Sequence, residues 1–213
     1  MERRRFLCRR IIHQSTKLPS LYIIAGCNGA GKTTASFTVL PELLQVREFV
    51  NADEIARGLS PFRPEKVSIE AGRIMLRRIQ DLLAQQADFA FETTLATRSF
   101  VGLIERAKAQ GYTVTLVYYW LDSIELAVVR VRARVAEGGH HIPAEVIARR
   151  YRAGLSNFLH LYKSRVDYWL LIDNSRTQPE LIAESQSTLS DTIVDLPKWQ
   201  IIHQLAGYDS DRN

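Results

Sequence analysis

Hydrophobic positions along the chain follow two alternating patterns. Short apolar runs of strand type are followed, several times over, by longer stretches with apolar residues at helical spacing. Leu21-Tyr22-Ile23-Ile24-Ala25 is the first run, and Thr33 to Leu40 after it carries no breaker until Pro41. Glu48-Phe49-Val50 reads as a short second strand, and Gly58-Leu59-Ser60-Pro61-Phe62-Arg63-Pro64 as a loop by its breakers. From Glu65 to Gln86, Val67, Ile69, Ile74, Ile79, Leu82 and Leu83 predict a helix. Phe89-Ala90-Phe91 predicts a third strand. Thr97 or Ser99 then caps a helix to Gln110, with Gly111 just past its end.

Tyr112 to Leu121 is the strongest strand, aromatic and β-branched, and its length suits a buried central position. Asp122-Ser123 caps a helix over Ile124 to Ala136, broken by Gly138-Gly139. Pro143 opens the next, which runs to about Lys163. Tyr168 to Asp173 is a fifth strand, and a helix is expected from Pro179 to about Leu189. Thr192-Ile193-Val194 reads as an edge strand and Trp199 to Leu205 as a short terminal helix. Strands alternating with helices predict an α/β fold: a five- or six-stranded, mostly parallel sheet with helices on both faces. Such sheets bind ligands at the carboxyl ends of their strands. The polar residues there are Asp53, Glu92 with Thr94, Asp122, and Asp173 with Asn174.

Gly26-Cys27-Asn28-Gly29-Ala30-Gly31-Lys32-Thr33 follows the first strand and fits G-x-x-x-x-G-K-[ST], the phosphate-binding loop. Glycines let the backbone approach an anion, and the following helix N-terminus points amides and a positive dipole end at it. Gly26, Asn28, Gly29, Ala30, Gly31, Lys32, Thr33 and Thr34 are therefore the expected ATP-binding residues. Lys32 would reach the β- and γ-phosphates, and the Thr33 hydroxyl would hold Mg²⁺.

Charge changes the picture at one end. The formal net charge is +5, and Arg3, Arg4, Arg5, Arg9, Arg10 and Lys17 stand against Glu2 alone in the first 20 residues. That leaves residues 21–213, expected to form a single domain, formally neutral. The body therefore offers no general nucleic-acid surface, and the leader is expected to be a solvated, disordered tail. No apolar run approaches the roughly 20 residues needed to span a bilayer, so no membrane partner is expected. Cys8 and Cys27 form neither a metal spacing nor a disulfide framework, which fits a reducing, cytoplasmic setting.

Phosphoryl transfer needs a carboxylate at the acceptor, a site to hold it, and cations on the γ-phosphate. Asp53 is a candidate general base, and equally a helix cap within Asn51-Ala52-Asp53-Glu54. Glu92 could hold Mg²⁺ through water or bind acceptor hydroxyls. Arg130 and Arg134 share a helix face and can close over the γ-phosphate as part of a lid spanning about 124–163, while Arg149, Arg150 and Arg152 stay ambiguous. Asp122 and Asp173 also end apolar strands, as a Walker B carboxylate does, and Asp122 is better read as a cap. His140-His141 lacks a third ligand for zinc. No LSGGQ-like signature of an ABC-type ATPase is present.

GCNGAGKTT, VNADEIA, FAFETTLA, RVRARVAEGGHHIP with EVIARRYRAGLSNF, and DYWLLIDNS together resemble the zeta-toxin family of P-loop kinases, in its small stand-alone branch. The resemblance spans roughly residues 21–175. It implies a P-loop NTPase fold of nucleoside-monophosphate-kinase type and a Mg-ATP-dependent kinase. Studied family members phosphorylate an amino-sugar hydroxyl of UDP-N-acetylglucosamine, and some are restrained by an antitoxin protein. By motif, Asp53 matches the catalytic base, Lys32 and Thr33 the nucleotide and Mg²⁺ residues, and Glu92 and Thr94 the substrate contacts. Arg130 or Arg134 matches the lid arginine. Where the family carries an arginine before Thr-Pro, this chain reads His140-His141-Ile142-Pro143. A second acidic substrate contact has no clear counterpart, Arg73 and Arg77 being the nearest charges. Arg73 and His140 thus stand as candidate contacts to a small-molecule acceptor. A nucleic-acid end kinase and a non-catalytic nucleotide-binding module are the competing readings.

Overall fold

The computed structural model describes residues 18–207, except 43, 137, 138, 140 and 187–189. Residues 1–17 of the basic leader, with Cys8, and His140 lie outside the described residues, while Ser20, counted with the leader in sequence, already belongs to the first strand. Seven strands form one sheet: β1 (Ser20–Ala25), β2 (Glu48–Val50), β3 (Phe89–Thr93), β4 (Thr113–Trp120), β5 (Tyr168–Asp173), β6 (Glu180–Gln186) and β7 (Thr192–Ile193). Their order is β2-β3-β1-β4-β5-β6-β7. The first five run parallel; β6 and β7 are antiparallel. The helices are α1 (Lys32–Glu42), α2 (Ala52–Leu59), α3 (Ser68–Ala84), α4 (Val101–Ala109), α5 (Ile124–Ala136), α6 (Ala144–Asn157) and α7 (Leu196–Gly207). A 3₁₀ turn, Pro64–Val67, precedes α3, and a π turn, Phe158–Tyr162, continues α6. No helix among the described residues is long and apolar enough to cross a membrane.

β4 is buried from Val114 onward, as a central strand hydrophobic on both faces must be. β1 lies between β3 and β4, where the strand order reverses. That makes the crevice at the carboxyl end of β1 the switch point for ligand binding. An aromatic chain ties the C-terminal half to this core. Tyr118 and Phe158 have centroids 4.8 Å apart, Phe158 and Trp169 5.6 Å, and Trp169 and Trp199 6.0 Å.

Several local expectations change. The segment expected to be a helix from Pro179 is the strand β6, paired with β5 from Tyr168↔Gln186 to Asp173↔Glu180. The helix-forming residues of Glu180-Leu181-Ile182-Ala183-Glu184 yield to the free edge of β5, since non-local pairing and burial of Ile182 and Ala183 outweigh local preference. With β7 added, the sheet has seven strands rather than five or six. Residues 52–59, which showed only cap chemistry in sequence, form a full helix whose Asn51 cap accepts from the amides of Asp53 and Glu54. Ser123, not Asp122, caps α5: its Oγ accepts from Leu126 N at 3.2 Å, while the Asp122 carboxylate accepts from Ser123 Oγ at 3.2 Å. Likewise Thr97 and Ser99 share a hydrogen bond of 2.8 Å instead of capping α4.

Candidate functional site

The phosphate loop leaves β1 with three glycines in left-handed backbone: Gly26 (φ 139°), Gly29 (φ 81°) and Gly31 (φ 78°). Space as well as torsion demands them. A Cβ on Gly26 would sit 2.3 Å from the Tyr119 carbonyl oxygen, and one on Gly31 2.5 Å from Asn174 Nδ2. The Asn174 amide donates to Ala30 O at 2.7 Å, so a residue just past β5 braces the loop from outside.

Glu92 is the hub. Register delivers it: β3 sets Glu92 beside Ile24 of β1, and Val50 beside Phe91 brings Asn51 alongside. Its carboxylate accepts from Thr33 Oγ1 at 2.7 Å and Asn51 Nδ2 at 3.0 Å, and lies 3.4 Å from Lys32 Nζ. Lys32 also donates to Cys27 O at 2.9 Å. The Lys32 and Glu92 side chains are only 6% and 11% exposed, so this is an interior ion pair between the loop and β3. The Cys27 thiol beneath it is pushed up to about 11 by burial, against the lowering pull of the Lys32 and Arg130 charges.

Asp53 stands in the first turn of α2, half-buried, two residues after the Asn51 that holds Glu92. Its backbone is capped by Asn51, and its carboxylate has no hydrogen-bond partner among the described residues. Thr94 is half-buried just past β3. Arg73 is exposed on α3, which packs against α2. Thr34 is exposed in the first turn of α1.

Arg130, Arg134 and Arg150 occupy three different settings. Arg130 donates to the carbonyls of Asn174 and Ser175 at 2.8 and 3.0 Å, and so steadies the loop whose Asn174 braces Ala30. Arg134 has Nε and Nη2 buried without a partner among the described residues. Among the described residues, Arg150 of α6 hydrogen-bonds the phosphate loop: its Nη1 donates to Asn28 Oδ1 at 3.1 Å. Nothing in Arg149-Arg150-Tyr151-Arg152 distinguished it by residue type. Tyr151 between them, buried and bonded to Leu121 O at 2.6 Å, fixes the rotation that aims Arg150 inward.

Asp173 has another task. It is buried, 2.8 Å from Lys198 Nζ, and bonded by the Ser175 amide and hydroxyl. Burial raises its carboxyl, but hydrogen bonds from Lys198 and Ser175 outweigh that and hold it below the ordinary aspartate value. It ties α7 to the sheet. A cleft between α5 and α6, lined by Val128, Val131, Val135 and Ile147 among others, includes none of the predicted site residues.

Among the described residues no three His, Cys, Asp or Glu side chains cluster as a metal cage. The adjacent Thr33 hydroxyl and Glu92 carboxylate nonetheless suit Mg²⁺, which takes few protein oxygens and completes its shell with phosphates and water.

Comparisons with known proteins give the chain a family and a fold. A protein of uncharacterised function from Haemophilus influenzae is 32% identical over 127 residues, covering 59% of this chain and 88% of that one. A chain in the crystal structure of AvrRxo1-ORF1:-ORF2 with ATP shares the fold at a TM-score of 0.70 and 18% identity. The match covers 88% of this chain and 64% of that one, so the protein spans about two thirds of that relative's length. The PezAT toxin-antitoxin system of Streptococcus pneumoniae contains a chain matched over 97% of this one and 95% of its own, at a TM-score of 0.61 and 15% identity. The model of the Zeta toxin family matches residues 5–178. A P-loop kinase fold, the phosphate loop with its Glu92 hub, and that match over most of the chain together establish that the protein belongs to the zeta toxin family.

Proposed function

We propose that the protein is an ATP-dependent small-molecule kinase that transfers the γ-phosphoryl group to a hydroxyl, with a UDP-N-acetyl amino sugar as the acceptor class. Membership of the family and the P-loop kinase fold support an ATP-using phosphotransferase. The observation that carries the reading is the Glu92 carboxylate, bonded at once to Thr33 and Asn51 and paired with Lys32. It joins the donor loop to the N-terminus of the helix that bears Asp53.

In this reading the loop amides and Lys32 bind the triphosphate. Thr33 with Glu92 would hold Mg²⁺, which would supply positive charge to the phosphates. Asp53 accepts the proton of the acceptor hydroxyl as its oxygen bonds to the γ-phosphorus. The bond from that phosphorus to the β,γ-bridging oxygen breaks, and ADP leaves. Glu92 and Thr94 contact the acceptor, and Arg73 reaches it from α3. Arg150 joins Arg130 and Arg134 as a cation for the γ-phosphate, because it already contacts the loop through Asn28. His140 stays a candidate acceptor contact by its place in the motif. An antitoxin partner is proposed from the family and from the toxin-antitoxin relative.

The test is transfer from γ-labelled ATP, with Mg²⁺, to a panel of UDP-sugars, nucleosides and oligonucleotides. Asp53→Asn should retain ATP binding and lose about 10²–10⁴ in turnover. Undiminished transfer by Asp53→Asn would remove the base from Asp53, and transfer only to oligonucleotides would replace the acceptor class.

A further inference from the structure

One face of α6 lines up four contacts on the site. Arg150, Gly154 and Asn157 are spaced i, i+4, i+7, so they share a stripe. Arg150 reaches Asn28 of the donor loop. The other contacts fall on the segment that follows Glu92. A Cβ on Gly154 would meet the Thr94 carbonyl oxygen at 2.4 Å, so the helix backbone lies directly against that residue. Asn157 Nδ2 donates to Leu95 O at 2.8 Å, and Tyr162 Oη donates to Thr97 O at 2.7 Å.

The π turn explains the last of these. Five residues separate Asn157 from Tyr162, which in a regular α-helix would put them on different faces. The wider turn at Phe158–Tyr162, with Lys163 N donating to Phe158 O, keeps Tyr162 on the stripe. The held segment is itself unusual. Leu95 is fully buried and adopts φ 59°, a left-handed backbone that a leucine seldom takes. Its amide donates to Thr93 Oγ1 at 3.0 Å and its carbonyl is the one Asn157 holds. Such a conformation persists where surrounding contacts over-determine it, and such positions gather at functional sites. Tyr151, bonded to Leu121 O, anchors the same helix to the end of β4.

We propose that α6 is a strut that shapes the acceptor side of the site, and that Asn157 is a positioning residue for the phosphoryl acceptor. By holding the Leu95 carbonyl, its amide keeps the turn at 94–97, and hence Glu92 and Thr94, in the arrangement the acceptor meets. The inference rests on the transfer reading above.

The experiment uses the full chain with Asn157→Asp, which keeps the shape and removes the donor, and Tyr162→Phe, which keeps the buried ring and removes the hydroxyl. UDP-N-acetylglucosamine is the acceptor probe. Steady-state kinetics are paired with amide hydrogen exchange over residues 92–97 and 26–33. Asn157→Asp should raise the acceptor KM about tenfold or more and leave the ATP KM within about twofold, since small misplacements of a reacting group are costly. Exchange over 92–97 should quicken while that over 26–33 stays as in wild type, and Tyr162→Phe should move the same readouts in the same direction. An unchanged acceptor KM, or equal shifts in both KM values, overturns the positioning role even if exchange quickens. If the wild type transfers phosphate to no member of the panel, the transfer reading fails. The strut then stands on exchange alone, and an unaltered rate over 92–97 in both variants overturns it.

Discussion

Replacing Glu92 by glutamine is the most informative single perturbation of the site. At 3.4 Å, the Lys32–Glu92 attraction is about 5 kcal/mol at an effective dielectric near 20, before the cost of desolvating either end. The hydrogen bonds from Thr33 and Asn51 to the charged carboxylate contribute about 1.5–3 kcal/mol each. Both bonds fall on Oε2, whose place the amide oxygen can take, while the amide nitrogen replaces Oε1 and turns a donor toward the Lys32 ammonium. Breaking a buried pair by removing one partner costs about 3–5 kcal/mol. Lys32 still donates to Cys27 O, which places the expected loss nearer 2–3 kcal/mol. For a chain of this size that is a fall of about 4–12 °C in Tm. The assay is denaturant or thermal unfolding of wild type, Glu92→Gln, Lys32→Met and the double variant. The cycle should return a coupling of about 1–2 kcal/mol. Saturating Mg-ATP should narrow the Glu92→Gln deficit, because the phosphates then neutralise Lys32. A coupling within about 0.3 kcal/mol of zero would refute the reasoning, as it would mean that the two groups do not form an interior pair.

Two further outcomes follow from the shifted groups. In a Cys8→Ser background, Cys27 should resist iodoacetamide in the native state at pH 8, since a thiol pushed up to about 11 is roughly one part in a thousand thiolate there. Mass spectrometry before and after denaturation checks this, and rapid native labelling would contradict it. Lys198→Met should destabilise the protein at neutral pH, because Asp173 then stays buried without its cation. Asp173 is held below its unfolded value, so its stabilisation is present above about 3.9 and is lost as pH falls through the folded value. The difference in Tm between wild type and Lys198→Met should therefore shrink as the solution is acidified below about pH 4.

Much of the site was legible because its chemistry is local. The loop Gly26–Thr33 announces its conformation through glycines at positions that need left-handed backbone, and its ligand through Lys32 and Thr33. The apolar runs that stop at Val50 and Phe91 marked Asp53 and Glu92 as candidates, because polar residues begin there, although β3 itself continues to Thr93. Arg150 was not separable from Arg149 and Arg152. All three are arginines on one helix, and which of them faces Asn28 depends on how Tyr151 docks against β4. Asn157 carried no sequence signal, since an asparagine near a helix end is ordinary until its carbonyl partner is known. The β6 segment misled because its composition favours a helix, whereas the free edge of β5 is a property of the whole sheet.

By itself, then, the sequence determined the phosphate loop, the parallel α/β core and the zeta-toxin pattern, since each is written in neighbouring residues and in a regular period. Tertiary structure decided the rest: Glu92 between Lys32, Thr33 and Asn51, Arg130 on the carbonyls of Asn174 and Ser175, and α6 against residues 94–97. Those contacts join residues far apart along the chain. Sheet register and helix rotation set them, and neither is specified by any one stretch of sequence.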